Sequence, residues 1–439
     1  MTVAITRDDD TQEAAYQLHL IVVGAGLAGL AAAISTRLEG HHVTILEKAS
    51  VLQEIGAGLQ VTPNATRLFH RWGVFDELQR KAAAPSYLAV HRYDGTQLLA
   101  YEDHFQEKML ERWNAPYWNI HRADLHTTLV HRARALGVTI VVGCEVKDID
   151  FDQAHVTAQD GRTFCGDVVL GADGLWSRTR SLMLNRQVSP HPTGDLAYRI
   201  VLDLKNIEDP ELRSLVSNPS VNFWIGPKSH VVGYSIRQGL TYNLVLLRPD
   251  DLPADTSRAA ANVDEMRAAF EQWDPILRKL LACVNSVDKW RLMHISPLVN
   301  WSHKDGKFVM AGDACHPMLP YLAQGANSSL EDGAALGRLL GSVTSPDHIA
   351  PTLKLYENVR KARGDGIAKE ALNQRTSFHL EDGPIQEQRD RIFLDCLGKE
   401  PRAPFPSRWT CPKIQAWLYG YDALAEADRA SQACESQQT

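Results

Sequence analysis

LHLIVVGAGLAGLAAAISTRLEGHHVTILEK, residues 18–48, decides the fold. Its first six residues are a short β-branched run of the kind that fills a buried parallel strand. Gly24-x-Gly26-x-x-Gly29 follows at once and opens a helical pattern, which Gly40 stops. A second strand then ends in Glu47. This is a βαβ unit, and such units build parallel sheets. Placed after a strand and before a helix, the three glycines have a physical reading. Gly24 permits a tight turn, Gly26 lets the backbone approach a pyrophosphate, and Gly29 lets helix and strand pack closely. The helix N-terminus supplies free N–H groups and a partial positive charge for phosphates. Glu47 at the second strand end is placed to accept hydrogen bonds from ribose hydroxyls and repels a 2′-phosphate. The ligand expected is therefore FAD or NAD rather than NADP.

Working outward, residues 64–82 read as a helix carrying Leu68, Phe69, Trp72 and Leu78, and 87–101 as a hairpin around Asp94-Gly95. Residues 123–136 read as a helix, 138–143 as another buried strand, and 151–164 as a hairpin turning at Asp160-Gly161. From about 190 to 300 short alternating runs such as SVNFWIG and YNLVLLR predict an antiparallel sheet, a different layer type from the opening unit. Helical sequence runs from about 328 to 375, and the polar tail ASQACESQQT is expected to be disordered.

Two further glycine turns follow apolar runs: GADGLWSRTR at 171–180 and AGDACHPMLPYLAQGANSSLEDGAAL at 311–336. In the second, Asp313 is placed to bond a ribityl hydroxyl, and the helix starting near Ser328 to point its N-terminus at a flavin ring. Composition bounds the rest. With 439 residues, 44% apolar, 23% charged and a net charge of −7, the chain reads as an ordinary soluble protein of two or three domains. Neither nucleic acid nor stable membrane insertion is expected, and residues 1–17 lack the pattern of a signal peptide. Seven well-separated cysteines without a CxxC suit a reducing, cytoplasmic setting. Cys315-His316 lies beside Asp313, but adjacent residues rarely converge on one ion and no HExxH or paired CxxC occurs. No metal is expected.

In their order and spacing, the GAGLAG turn with Glu47, the GADGLWSRTR stretch and the GDACHPMLPYLAQGANSSLEDGAAL stretch resemble the single-component FAD-dependent aromatic hydroxylases. That group includes salicylate hydroxylase and fungal phenol-dearomatising monooxygenases. The resemblance spans about residues 18–370; the last 60 residues carry no matching motif. It implies an α/β fold: a doubly wound, Rossmann-like FAD domain with an inserted antiparallel substrate domain and C-terminal helices. The expected division is 18–85, 102–185 and 295–370 for FAD, 86–101 and 186–294 for substrate, and 371–439 as a C-terminal segment.

The resemblance also implies residue roles. Gly24, Gly26, Gly29 and Glu47 would hold the ADP half of FAD, Arg122 and Asp173 would contact the cofactor with Arg180 in support, and Asp313 would bind the ribityl chain. Gly325 and Ala326 would lie beside the flavin ring, and Gly58 and Gln60 on the loop passing its substrate side. NADH or NADPH would visit as a transient reductant, since no second GxGxxG follows a strand. The implied reaction inserts one oxygen atom of dioxygen into a phenolic or heteroaromatic small molecule through a flavin hydroperoxide. Dearomatisation and decarboxylative hydroxylation are its variants, in secondary metabolism by analogy with the fungal members.

Candidates for handling the phenol lie in the antiparallel segment. Arg199 occupies a strand position where dearomatising relatives keep a phenolate-holding arginine. His230 and Tyr234 are four apart on a strand and so share a face; a His and Tyr at this spacing contact substrate in 6-hydroxynicotinate monooxygenase. Tyr117 is a weaker candidate. The alternatives are epoxidation of an alkene or indole on the same flavin site, a flavin dehydrogenase or oxidase, and a flavin-binding protein without catalysis. A monomer or homodimer is expected.

Overall fold

The β-branched run His19–Val23 sits at the centre of a five-stranded parallel sheet. In the computed structural model, which describes residues 14–52, 57–304 and 306–438, its neighbours are Val168–Gly171 and His42–Leu46. Phe308–Met310 and Thr139–Val141 complete the two sides. Leu20, Ile21 and Val22 are fully buried, as a strand covered on both faces requires. Thr139–Val141 departs from the buried strand expected there: it pairs only with His42–Leu46, so Thr139 is exposed and its neighbours half-buried.

The helix Leu27–Leu38 covers one face of this sheet and packs against Gln324–Leu340. Contact is backbone to backbone: a Cβ on Gly333 would fall 2.4 Å from the Ala32 nitrogen. The helix expected near Ser328 thus starts at Gln324, which puts Gly325 and Ala326 in its first turn. The 328–375 stretch is two helices, the second being Ile349–Phe378, separated by a turn through Gly341 and Pro346. The single helix expected over 64–82 is three short ones, Pro63–Thr66, Leu68–Arg71 and Phe75–Lys81. Gly73, with φ of +66°, makes the last break, yet Leu68, Phe69, Trp72 and Leu78 are all buried.

The segment of alternating runs forms an eight-stranded sheet. Its order is Arg258–Ala261, Val287–His294, His191–Asp203, Thr241–Pro249, Ser229–Ile236, Ser220–Gly226, Tyr87–Arg92 and Leu98–Asp103. Every pairing is antiparallel except that of Ser220–Gly226 with Tyr87–Arg92. Strand alternation divides its side chains into two layers. Tyr198, Leu244 and Leu246 pack under helices contributing Leu212, Met266 and Leu277. Ala197, Tyr234 and Leu247 face the other way, into a core shared with Phe405, Trp409 and Tyr419 from the chain's end.

The tail expected to be disordered is instead part of the helix Ala423–Gln438. Ala423 and Ala427 are fully buried in the main core, and Arg338 Nε donates to Asp428 Oδ1 at 2.6 Å. These anchors precede the tail, so the helix docks through its first half and continues into mostly exposed residues. All seven cysteines are unpaired. No helix among the described residues is long and apolar enough to cross a membrane.

Candidate functional site

Gly24 turns the chain out of the central strand with φ of +107°, its N–H donating to Leu46 O at 2.8 Å. A Cβ there would lie 2.4 Å from Ala172 O, so the first and second glycine turns are in direct contact. Gly26 caps the helix Leu27–Leu38 without any side-chain bond, and the space where its Cβ would stand is open. Gly26 at that helix start borders a cavity of about 510 Å³. Glu47 lines the same cavity. Its two carboxylate oxygens accept from Ala25 N and Ala49 N, each at 2.8 Å, which aims the carboxylate beside the turn. His126, absent from the sequence reading, bonds Ala25 O through Nε2 at 2.8 Å and lines the cavity too.

Asp173 borders this cavity but is also committed within its own turn. It accepts from Ser177 Oγ at 2.6 Å, Thr179 Oγ1 at 2.7 Å and Thr179 N at 2.9 Å. Arg180 lines neither cavity. It is fully buried and donates to Leu175 O, Val188 O and Ala314 O, tying the second glycine turn to the third.

The third turn is held from beneath. Asp332 accepts from Gly312 N at 2.9 Å, from Arg360 Nε at 2.8 Å, and pairs with His316 Nε2 at 2.5 Å. Burial alone would raise the Asp332 pKa; attraction to His316 and Arg360 outweighs it and holds the carboxyl below the usual range. His316 is shifted up in return, against its own desolvation. Glu331 joins Arg360 and Arg363, all buried. His316 is thus one member of an ion-pair network. No group of three or more His, Cys, Asp or Glu among the described residues is placed to hold a metal.

A second cavity of about 290 Å³ shares Gly26, Ala172 and Gly174 with the first and runs on between the two sheets. Arg122, Asp313, Gly325, Ala326, Gly58 and Gln60 line its cofactor side. Asp313 opens only onto this cavity; desolvation raises its carboxyl pKa, with His316 and Arg122 opposing. Asn327, one turn into the helix Gln324–Leu340, donates to Gln60 O at 3.0 Å and accepts from Thr62 N at 3.0 Å. These bonds fix the strand Gly58–Val61 against the helix start. Gln60 is buried and its Nε2 has no protein partner.

Ala197, Arg199, Val232, Tyr234, Val245 and Leu247 form the opposite wall. Gly58 is where the walls meet: its N–H donates to Asn243 Oδ1 at 2.7 Å, and a Cβ would strike the Tyr234 ring at 2.5 Å. Burial raises the Tyr234 pKa well above its ordinary value against the opposing pull of Arg199. Burial lowers that of Arg199, with Arg122 adding and Tyr234 opposing. Arg199 is not in an ion pair among the described residues; its Cζ lies 5.2 Å from the Trp290 ring centroid.

His230 and Tyr117 do not line the cavity. His230 shares the strand face of Tyr234, as the even spacing requires, but lies four residues away, beyond Val232. There Tyr321, Phe378 and His379 cover it. Its Nδ1 is 2.7 Å from His379 Nε2. Tyr117 is fully buried among Phe105 and Tyr419. The apolar wall carried no signal in the sequence, nor did Asn243 and Trp290 behind it, because only strand register brings them beside Gly58 and Arg199. Asp332 did stand inside a quoted motif.

The confluent cavities fit FAD: an uncapped helix start and an acid at one end, and a buried unpartnered amide with a second helix start at the other. Comparison with known proteins gives the same answer. A family model described as FAD binding domain matches residues 17–371. The chain is 55% identical to FAD-dependent monooxygenase OpS4 of Beauveria bassiana, over 94% of this chain and 97% of that one. It is 31% identical to 3-amino-4-hydroxybenzoate 2-monooxygenase PtnB3 of Streptomyces platensis, over 95% and 100%. A salicylate hydroxylase substrate complex superposes with a TM-score of 0.77 at 22% identity, covering 94% of this chain and 98% of that one.

Proposed function

The chain belongs to the FAD-dependent aromatic hydroxylases, and on that premise we propose that it oxygenates a phenolic small molecule held between the Gly325–Ala326 turn and the Arg199–Tyr234 wall. It is an FAD-dependent monooxygenase. Bound FAD supplies the activation of dioxygen and the electrophilic oxygen that reaches the ring. The remaining work falls to this chain's residues.

Gly24, Gly26, Gly29 and Glu47 would hold the nucleotide end, and Arg122 and Asp313 the linking chain. The N–H groups at Gly325 and Ala326, in the first turn of Gln324–Leu340, would stabilise negative charge on the adjacent ring. Gln60 offers an unsatisfied amide donor to the same region. Across the cavity Arg199 would lower the pKa of a phenol placed beside it, raising the electron density of the ring to be attacked. Tyr234 stays protonated at neutral pH and donates from its hydroxyl, a positioning contact rather than a base. Val232, Val245 and Leu247 exclude water from the reacting face. NADH or NADPH would act as a visiting reductant.

The observation that carries this reading is the facing of Arg199 and Tyr234 on one wall by Gly325 and Ala326 on the other, within one cavity. The test is a visible spectrum of the purified, FAD-loaded protein, followed by NADH and NADPH oxidation against a panel of phenols. The panel includes 3-amino-4-hydroxybenzoate, the compound in one relative's name. Oxidation stimulated by one phenol, with one atom of labelled dioxygen in the product, is the expected result. Stimulated turnover without label in the product would identify a dehydrogenase instead.

A further inference from the structure

Arg199 stands in the substrate cavity without a carboxylate partner among the described residues, although the sheet offers one. Asp288 is its direct cross-strand neighbour. That carboxylate is engaged by Arg258, whose Nε and Nη2 donate to Asp288 Oδ2 at 3.2 and 2.7 Å. Arg258 is in turn the cross-strand neighbour of Trp290, and Trp290 that of Ala197 in the cavity wall. The Trp290 strand lies between the other two. Both guanidiniums sit over the indole, with Cζ 4.3 Å from the centroid for Arg258 and 5.2 Å for Arg199. Among the described residues, the remaining charged groups lining the cavity are Arg122 and Asp313.

Arg199 is exposed toward the cavity, and a bound substrate would draw its guanidinium out of bulk water, which demands compensation. A salt bridge with Asp288 would supply it and neutralise the charge. The indole face supplies part of it and leaves the charge standing. It also restricts a long side chain that would otherwise swing into solvent.

We propose that Trp290, Arg258 and Asp288 are positioning residues that keep Arg199 cationic, unpaired and turned into the cavity, so that the site selects aromatic substrates bearing an anionic oxygen group, carboxylate or phenolate. Arg258 acts by occupying Asp288, and Trp290 by stacking. The proposal rests on the placement of Arg199 in the substrate site argued above and adds residues outside the cavity lining.

The test titrates benzoate and its neutral analogue benzamide into the full-length, FAD-loaded protein, following the flavin absorbance. Wild type is compared with Trp290→Leu, Trp290→Phe, Arg258→Ala and Arg199→Ala, with thermal unfolding in parallel. Wild type is expected to prefer benzoate. Trp290→Leu should weaken benzoate about tenfold and leave benzamide unchanged, and Trp290→Phe should restore most of the loss. Arg258→Ala, a change at a largely exposed side chain, should also weaken benzoate by releasing Asp288 onto Arg199; it decides the matter should Trp290→Leu not fold. Equal weakening of both ligands, or of neither, would overturn the proposal. A wild type without preference, or an Arg199→Ala variant that retains it, would instead remove Arg199 from the substrate site, and the proposal with it.

Discussion

The two ends of the continuous cavity are built by different means. At the nucleotide end the glycine turns present backbone at Gly24, Gly26, Ala172 and Gly174, with side chains such as Glu47, His126, Asp173 and Arg178 around them. At the substrate end the wall is side chains from separate strands, Ala197 and Arg199 from one, Val232 and Tyr234 from another, Val245 and Leu247 from a third. A backbone cradle tolerates little change because every atom of it is also structure. A side-chain wall on a hydrogen-bonded sheet accepts new residues without disturbing the strands that carry them. The contrast accounts for one fold serving many substrates.

The strongest way to break the contrast is at the first turn. Gly24→Val forces a branched residue to φ of +107° with its Cβ 2.4 Å from Ala172 O. Loss of FAD retention and of most soluble folded protein is expected, read by the flavin absorbance of the purified material. Asp332→Ala comes next. It leaves His316 buried without its carboxylate and Arg360 with Glu331 alone, and a loss of about 3 kcal/mol is expected in denaturant unfolding. Both changes strike the cofactor half.

On the substrate side the losses should be functional and smaller. Arg199→Ala is expected to keep FAD and its unfolding midpoint while lowering kcat/KM on the preferred phenol by about a hundredfold, ~2.7 kcal/mol. Tyr234→Phe removes one hydroxyl and should cost about tenfold or less in the same assay. If either variant released FAD, the two ends would not be separable as described.

The smallest effect concerns pH. Burial brings the His379 imidazole down to about 4, Asp195 opposing and Arg375 adding. A neutral histidine that is protonated more readily when unfolded loses stability as pH falls from about 6.5 to 4. Urea unfolding midpoints should therefore decline across that window, and His379→Asn should flatten the decline. A variant as steep as wild type would place the acid sensitivity elsewhere.

The same division governs how much could be read from the residues. GAGLAG with Glu47 is local: spacing alone places the acid beside the turn, and Glu47 and Gly26 line one cavity. The switch from buried runs to alternating ones at about 190 likewise announced the second sheet. Arg199 and Tyr234 were found through a resemblance, and what surrounds them depends on register across strands far apart in the chain. His230 illustrates the limit, since sharing a face with Tyr234 did not bring it to the cavity. Only the packing of His379 and Tyr321, from other elements, settles where the cavity ends. Asp173 shows another: a motif residue whose carboxylate is engaged by Ser177 and Thr179 serves its turn as well as any ligand.

The core beneath the substrate wall joins residues from opposite ends of the chain. Leu88, Val90 and Phe105 pack with Phe405, Trp409, Leu418 and Tyr419. Arg363 donates to the carbonyls of Trp417 and Leu418, and Arg67 to that of Tyr419. On the ribosome, where N-terminal parts fold first, both layers therefore wait on later residues. The helix Leu27–Leu38 has its packing partner only once Gln324–Leu340 is made, and the strand Tyr87–Arg92 has its apolar face covered only once residues 405–419 are made. A nascent chain thus exposes apolar surface from both halves until residues far along the sequence arrive, so a message cut short before residue 405 yields a protein that lacks part of the core behind its substrate wall.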